Sequence, residues 1–408
     1  LTNWKSAAVA KTVKKAERIA FVTPRFSEGA TIGGAETLLK SLAVHAAASG
    51  RSVTILTTCA QDHFTWENTL PPGSKSVNGI EVIFFPVDED RDIDAFLRTQ
   101  TAISSGRAVS MEEEITWIEN NVNSRALCEH LQQNGDNYDS IVAGPYLFGL
   151  IYHAAMVRPK KTVLVPCLHD EAFAYLSVFE RLFNTVGALM FNTAPEMELA
   201  RRLYKPDPGA MSVVGMGLDS FDCDPNAFSR QHGIETPYVI YSGRREQLKG
   251  TPLLIDYMTT FRSRTGHDVK LVLTGSGPVD CPAELRPHLI DVGFVTEDEK
   301  HNAMAGALAF CHPSVNESLG IVILEAWLAE TPCLVHEKAA VLRDHCVKGG
   351  GGLWFKTYPE FEAELSLLLD NRNTRDQLAA AGKRYVMENY RWDRITGKML
   401  NVLDGGTR

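Results

Sequence analysis

The sequence predicts an α/β protein built as two facing Rossmann-like domains with a cleft between them. Three observations predict it. Short β-rich runs alternate with helical patterns along the chain, which is how parallel sheets covered by helices read. The runs fall into two series, separated by the Gly-, Asp- and Pro-rich stretch "VVGMGLDSFDCDPNAF" (213–228). Finally, 408 residues exceed the roughly 250–300 at which a single core stops growing.

In the first series, "RIAFVT" (18–23), "SVTILTT" (52–58), "IEVIFFPV" (80–87), "DSIVAG" (139–144), "KTVLVPC" (161–167) and "ALMFNT" (188–193) read as buried strands. Helical patterns such as "AETLLKSLAVHAAAS" (35–49) lie between them. The second series reads as "MSVVG" (211–215), "YVIYSG" (238–243), "VKLVLTG" (269–275), "LIDVGF" (289–294), "ALAFCHP" (307–313), "PCLVH" (332–336) and "GLWF" (352–355). The domains are expected at 1–213 and 214–385. A helical C-terminal segment, 386–408, is expected to cross back to the first.

Composition narrows the function. The chain is 44% hydrophobic and 22% charged, as in an ordinary globular protein. Its net charge of −9 argues against nucleic acid, whose binders are basic. No apolar run approaches the roughly 18–20 residues that span a bilayer. The start lacks the apolar stretch of a secretory signal, and it begins at Leu1 rather than Met, which admits a trimmed or partial chain. Lys5, Lys11, Lys14, Lys15 and Arg18 make it basic, fitting a solvated tail or a weak contact with an anionic membrane. Eight scattered cysteines without a CxxC pair read as reduced, buried thiols of a cytoplasmic protein.

Ligands of parallel sheets bind beyond the carboxyl ends of the strands, and three such loops carry chemistry. In "IYSGRREQLKGTPLLIDYM" (240–258), Arg244 follows a strand and Lys249 opens the next helix. Two cations there suit a diphosphate, although a solvated basic turn reads as well. In "HPSVNESLGIVILEAWLAETPCLV" (312–335), Ser318 is a candidate N-cap, and Leu319, Gly320 and Ile321 would offer free amides. Glu317 and Glu325 would lie roughly 10 Å apart by helical rise. Each could accept two hydroxyls of a sugar ring, or could merely serve the helix dipole and an exposed face. In "TPRFSEGATIGGAETLL" (23–39), Gly33 and Gly34 precede a helix, a weak phosphate-loop signal.

Taken in order, "GGAE" (33–36), "CLHDE" (167–171), "FNTAPEMELARRL" (191–203), "VVGMGLD" (213–219), "SGRREQLKG" (242–250), "LTGSGP" (273–278), "VGFVTEDEK" (292–300) and "PSVNESLGIVILEAWLAETP" (313–332) resemble the retaining glycosyltransferases of the GT-B fold, "group 1" (family four) class. The last carries the class's E-x7-E signature. The resemblance spans nearly the whole chain. It implies that Glu317 holds donor-sugar hydroxyls, Glu325 the ribose, and Arg244 and Lys249 the diphosphate. The amides of Ser318, Leu319 and Gly320 would face sugar and phosphates. His169 would reach the sugar from across the cleft, Gly34 would approach phosphates or acceptor, and the loop at Phe294 and Val295 would carry the base. Leu319 replaces the usual aromatic, Ser242 a glycine, and Glu330 the glycine that closes the helix.

The implied reaction is metal-independent sugar transfer from a nucleotide-diphosphate donor, UDP- or GDP-linked, to a hydroxyl of a saccharide or lipid-linked acceptor. It would keep the anomeric configuration, in the cytoplasm or at the inner face of the membrane. No cofactor is expected. The DxD spacings in "PVDEDRDID" (86–94) read as a solvated loop rather than a metal site. Alternatives are a nucleotide-sugar epimerase or phosphorylase of the same fold, a non-catalytic accessory subunit, and a metal-dependent enzyme using the DxD run.

Overall fold

The computed structural model describes residues 17–29 and 33–405. Lys5, Lys11, Lys14 and Lys15 of the basic start lie outside them. The first sheet comprises β1 (Arg18–Val22), β2 (Ser52–Thr58), β3 (Gly73–Val77), β4 (Ile80–Phe85), β5 (Ser140–Ala143), β6 (Thr162–Leu164), β7 (Ala188–Phe191) and β8 (Met211–Val213), in the order β3-β4-β2-β1-β5-β6-β7-β8. All neighbours are parallel except β3 and β4. That hairpin turns at Asn78 and Gly79, both at positive φ, as a tight two-residue hairpin turn requires. β3 is polar and mostly exposed, so it has none of the apolar signal of the other strands.

The second sheet comprises β9 (Tyr238–Ser242), β10 (Lys270–Thr274), β11 (Leu289–Gly293), β12 (Ala309–His312), β13 (Cys333–His336) and β14 (Gly352–Phe355), ordered β11-β10-β9-β12-β13-β14 and fully parallel. "MSVVG" is corrected here: as β8 it pairs with β7 and closes the edge of the first sheet rather than opening the second.

Both sheets reverse direction once. The switch points fall between β1 and β5 and between β9 and β12. Adjacent loops diverge there and leave a crevice. The loops after β1, β9 and β12 are the three singled out above.

The chain crosses between domains twice. The linker after β8 is one crossing. The other follows the helix Arg372–Asn389, which packs in the second domain against the helix Ile321–Leu328. The return helix Trp392–Leu403 then lies on the helix Gly34–Ala48 of the first domain. Its Trp392 stacks on His45 with ring centroids 3.7 Å apart, and Arg51 pairs with Asp404 at 2.8 Å.

Packing beneath the Ile321 helix leaves little slack. Buried Trp327 donates its indole N–H to the Gly351 carbonyl at 2.7 Å. A Cβ placed on Gly382 would stand 2.5 Å from the Trp327 ring. Overpacking a filled core costs about 1–3 kcal/mol. Gly382→Ala should therefore lower stability by about that amount, read as a reduced midpoint in urea unfolding with the slope unchanged.

Candidate active site

Glu317 is the centre of the crevice after β9 and β12. Its Oε1 accepts hydrogen bonds from Lys249 Nζ at 2.6 Å and from His312 Nε2 at 3.0 Å. Its Oε2 has no protein donor among the described residues. Burial opposes the charge on Glu317, but the His312 hydrogen bond and the Lys249 ammonium overcome it and hold the carboxyl well below the usual range. His312 ends β12, lies 4% exposed, and leaves Nδ1 without a partner. Because the carboxylate can only accept, Nε2 carries the hydrogen.

Three expectations about local geometry are corrected. Ser318 is not the N-cap: the helix begins at Ile321, and Gly320 caps it at φ +73°. Residues 317–320 form the loop before the helix, so the helical-rise spacing between Glu317 and Glu325 does not apply. Lys249 likewise precedes its helix, ending a one-turn 3-10 segment two residues before Thr251. Both capping positions are left-handed glycines, Gly250 and Gly320, where a side chain would be strained.

Ser318 serves a different purpose. Its carbonyl accepts from Thr193 Oγ1 at 3.1 Å, and its Oγ stands 3.4 Å from Asn192 Nδ2. These bonds join the loop after β7 to the loop after β12 across the domain boundary. Glu196 organises the first-domain side by accepting the N–H groups of Asn192 at 2.6 Å and Leu168 at 2.7 Å. Burial pushes its carboxyl up, while these backbone donors pull it down. Leu168 precedes His169, which is partly exposed and 3.7 Å from Glu171.

The two neighbouring arginines divide the work. Arg245 is buried and grips Asp291 through both of its terminal nitrogens, which locks the loop to β11. Arg244 is half exposed and, among the described residues, pairs with Glu246 at 3.1 Å. Gly33 caps the first-domain helix and Gly34 opens it. Among the described residues, a Cβ on Gly34 would meet nothing within 4 Å, whereas one on Gly33 would meet Glu36 Oε2 at 2.4 Å. Glu36 and Arg25 form a buried pair, 2.6 Å apart, behind these glycines.

Glu325 lies further along the helix, over a cavity of about 390 Å³ bounded by both domains, with Lys40, His45, Asp219, Glu297 and His301 among its lining. Its Oε1 accepts from Lys300 at 3.1 Å. Its Oε2 is buried, equally near that ammonium, and makes no hydrogen bond. Burial raises the carboxyl and Lys300 lowers it, with a net rise. Glu297, His301 and Glu325 offer ligand atoms within 4.8 Å of one another. Lys300 reaches into the same cluster, 2.6 Å from Glu297, so an ammonium already supplies the positive charge there. Phe294 is 82% exposed at the end of β11, with Val295 half-buried beside it.

Three acids of 86–94 have structural partners. Asp88 and Asp90 pair with Arg125, and Asp92 caps the helix Ile93–Ser104. Glu330 does adopt positive φ, +58°, and pairs with Lys383 at 2.6 Å. Sequence reasoning missed His312, Lys300, Asn192, Thr193 and the Arg25–Glu36 pair. Each lies inside a quoted stretch, Glu36 in "GGAE", Asn192 and Thr193 in "FNTAPEMELARRL" and Lys300 at the end of "VGFVTEDEK", but none was given a role there.

Two parallel sheets facing across a crevice, joined by a linker and a returning C-terminal helix, define the GT-B class. The solved structure of a sucrose-phosphate synthase from Thermosynechococcus elongatus superposes with a TM-score of 0.68 over 95% of this chain and 98% of that one, at 16% identity. HepE of Anabaena, solved with UDP and glucose, gives 0.68 over 95% and 99%, also at 16% identity. Residues 224–385 match the family "Glycosyl transferases group 1", and this second domain is a group 1 glycosyltransferase domain. The D-inositol 3-phosphate glycosyltransferase of Jonesia denitrificans is 27% identical over 273 residues, 61% of this chain. The match spans 64% of that relative, less than two thirds of its length. No helix among the described residues is long and apolar enough to cross a membrane.

Because the folded pKa of Glu317 is depressed, its contribution to stability is complete above the ordinary carboxylate value of 4.5. That contribution is lost only as pH falls towards the folded value. Glu317→Gln should thus be destabilised by a constant amount from pH 8 to about pH 5, with the gap from wild type narrowing below that. Urea unfolding across pH checks this, and a gap that closes between pH 8 and pH 6 would contradict it.

Proposed function

We propose that this protein is a retaining glycosyltransferase that moves a sugar from a nucleotide-diphosphate donor to a hydroxyl of a saccharide or lipid-linked acceptor. The observation that carries the reading is Glu317: an ionised carboxylate held on one oxygen by Lys249 and His312, with the other free. A buried acceptor of this kind suits sugar hydroxyls. Lys249, Arg244 and the amides of 318–320 would take the diphosphate, and Glu325, which lines the cavity between the domains, would take the ribose. Phe294 and Val295 would lie against the base. His169 and Gly34 would meet the sugar and phosphates from the first domain. UDP or GDP is the expected carrier, and UDP is the nucleotide with which HepE was solved.

In the reaction the sugar's C1–O bond to the diphosphate breaks and a C1–O bond to the acceptor forms on the same face. The acceptor's proton passes to the departing diphosphate oxygen. Lys249 and Arg244 stabilise the negative charge that develops there, and domain closure excludes water. With two cations directed at the diphosphate, we assign the chemistry no metal. Synthesis of a surface polysaccharide or glycolipid by a peripheral cytoplasmic enzyme fits this chemistry.

A panel of nucleotide sugars, screened by thermal shift and donor hydrolysis, tests the reading. One donor should stabilise the wild type, and Glu317→Ala and Arg244→Ala should abolish or weaken that shift. Lys249→Ala should lower kcat by about 10²–10³-fold, the cost of removing one preorganised donor to a developing anion. Turnover should survive EDTA. If no nucleotide sugar shifts the wild type, the reading fails.

A further inference from the structure

The loop 317–320 is held from behind by a histidine that has no part in the roles above. His345 lies in the helix Ala340–Gly349 and is 1% exposed. Its Nε2 stands 2.9 Å from the Leu319 carbonyl oxygen. Its Nδ1 is 3.2 Å from the Tyr385 hydroxyl and 3.5 Å from that of Tyr390. A carbonyl can only accept, so Nε2 carries the hydrogen and Nδ1 accepts from a tyrosine. Burial pushes the imidazole down to about 4, which keeps the ring in this neutral form. Leu342, one turn earlier on the same helix, closes the remaining space: a Cβ on Gly320 would stand 2.4 Å from it.

The planar trans peptide between Leu319 and Gly320 points its C=O and N–H in opposite directions. Drawing the Leu319 carbonyl towards His345 therefore turns the Gly320 N–H away from the second domain's interior. That N–H makes no backbone hydrogen bond among the described residues. It is a free donor in the loop that begins with Glu317.

We propose that His345 is a positioning residue for the donor anion: by fixing the Leu319 carbonyl, it aims the Gly320 N–H at the distal, sugar-bearing phosphate. This rests on the donor reading given above. His345 touches no substrate itself, and its effect is transmitted through one peptide plane. It should act on the distal phosphate and leave contacts to the nucleoside untouched.

Calorimetric binding of UDP, GDP and ADP, each compared with its monophosphate, tests this. His345→Phe keeps a ring of similar size but removes both hydrogen bonds. It should raise the Kd of whichever diphosphate the wild type binds by about tenfold, the worth of one charge-assisted hydrogen bond. The matching monophosphate should change by less than about twofold, because it lacks that phosphate. His345→Gln, whose Nε2 can still donate to the carbonyl, should recover most of the loss. Equal weakening of both nucleotides, or no weakening of either, overturns the proposal. If His345→Phe does not fold, Tyr385→Phe carries the test through loss of the hydroxyl nearest Nδ1. It should weaken the diphosphate by about two- to threefold and spare the monophosphate, and an unselective or absent effect overturns the proposal. A wild type that binds no nucleoside diphosphate defeats the donor reading itself. That result is distinct from a wild type that binds and a His345→Phe variant that binds equally well.

Discussion

A buried carboxylate must be compensated where it stands, and the second domain is arranged around that requirement at Glu317. Desolvating the ion costs several kcal/mol unless partners answer it. The answer comes from two directions: Lys249 from the loop after β9, and His312 from the end of β12. Those strands are neighbours only because the sheet reverses between them. The topological switch thus decides which side chains can share one carboxylate oxygen. The capping glycines at 250 and 320 set where each loop turns into its helix. Arg245 and Asp291 keep the β9 loop from drifting.

The electrostatic pattern repeats at Glu325, with a different result. One lysine, shared with exposed Glu297, faces a carboxylate that is almost as deeply placed. Compensation is incomplete: one oxygen is left without a hydrogen bond and the carboxyl titrates high instead of low. One acid is therefore fully ionised and pinned, while the other retains unused acceptor capacity. Two glutamates eight apart in sequence have opposite pKa shifts because their partners differ.

Much of this was legible in the sequence. Thirteen strands announced themselves through β-branched runs, and the strand-end rule put Arg244, Lys249, Glu317 and Glu325 in loops or helices beyond β9 and β12. The polar β3 was not legible, because an exposed edge hairpin has no apolar pattern to read. Nor was the allegiance of "MSVVG", since a three-residue strand pairs equally well in either sheet until its neighbour is known. Ser318 looked like an N-cap by residue type, but the left-handed Gly320 and the bonds from Asn192 and Thr193 claimed it for the domain contact. His312 and Lys300 lay at the ends of quoted stretches without a role, and His345 lay in no quoted motif. Their partners lie 5, 25 and 26 residues away, and only the fold brings those atoms together.

The two crossings between domains are bonded to each other: the N–H of Leu218 in the linker donates to the carbonyl of Tyr390, just before the return helix, at 2.7 Å. A plate fastened by two adjacent screws can swing but can hardly twist. Relative motion is restricted to rotation about a short axis near this bond, and displacement grows with distance from it. One cut in the linker would give two fragments, held together by the return helix's packing on the first domain and its Trp392–His45 stack rather than by a peptide bond.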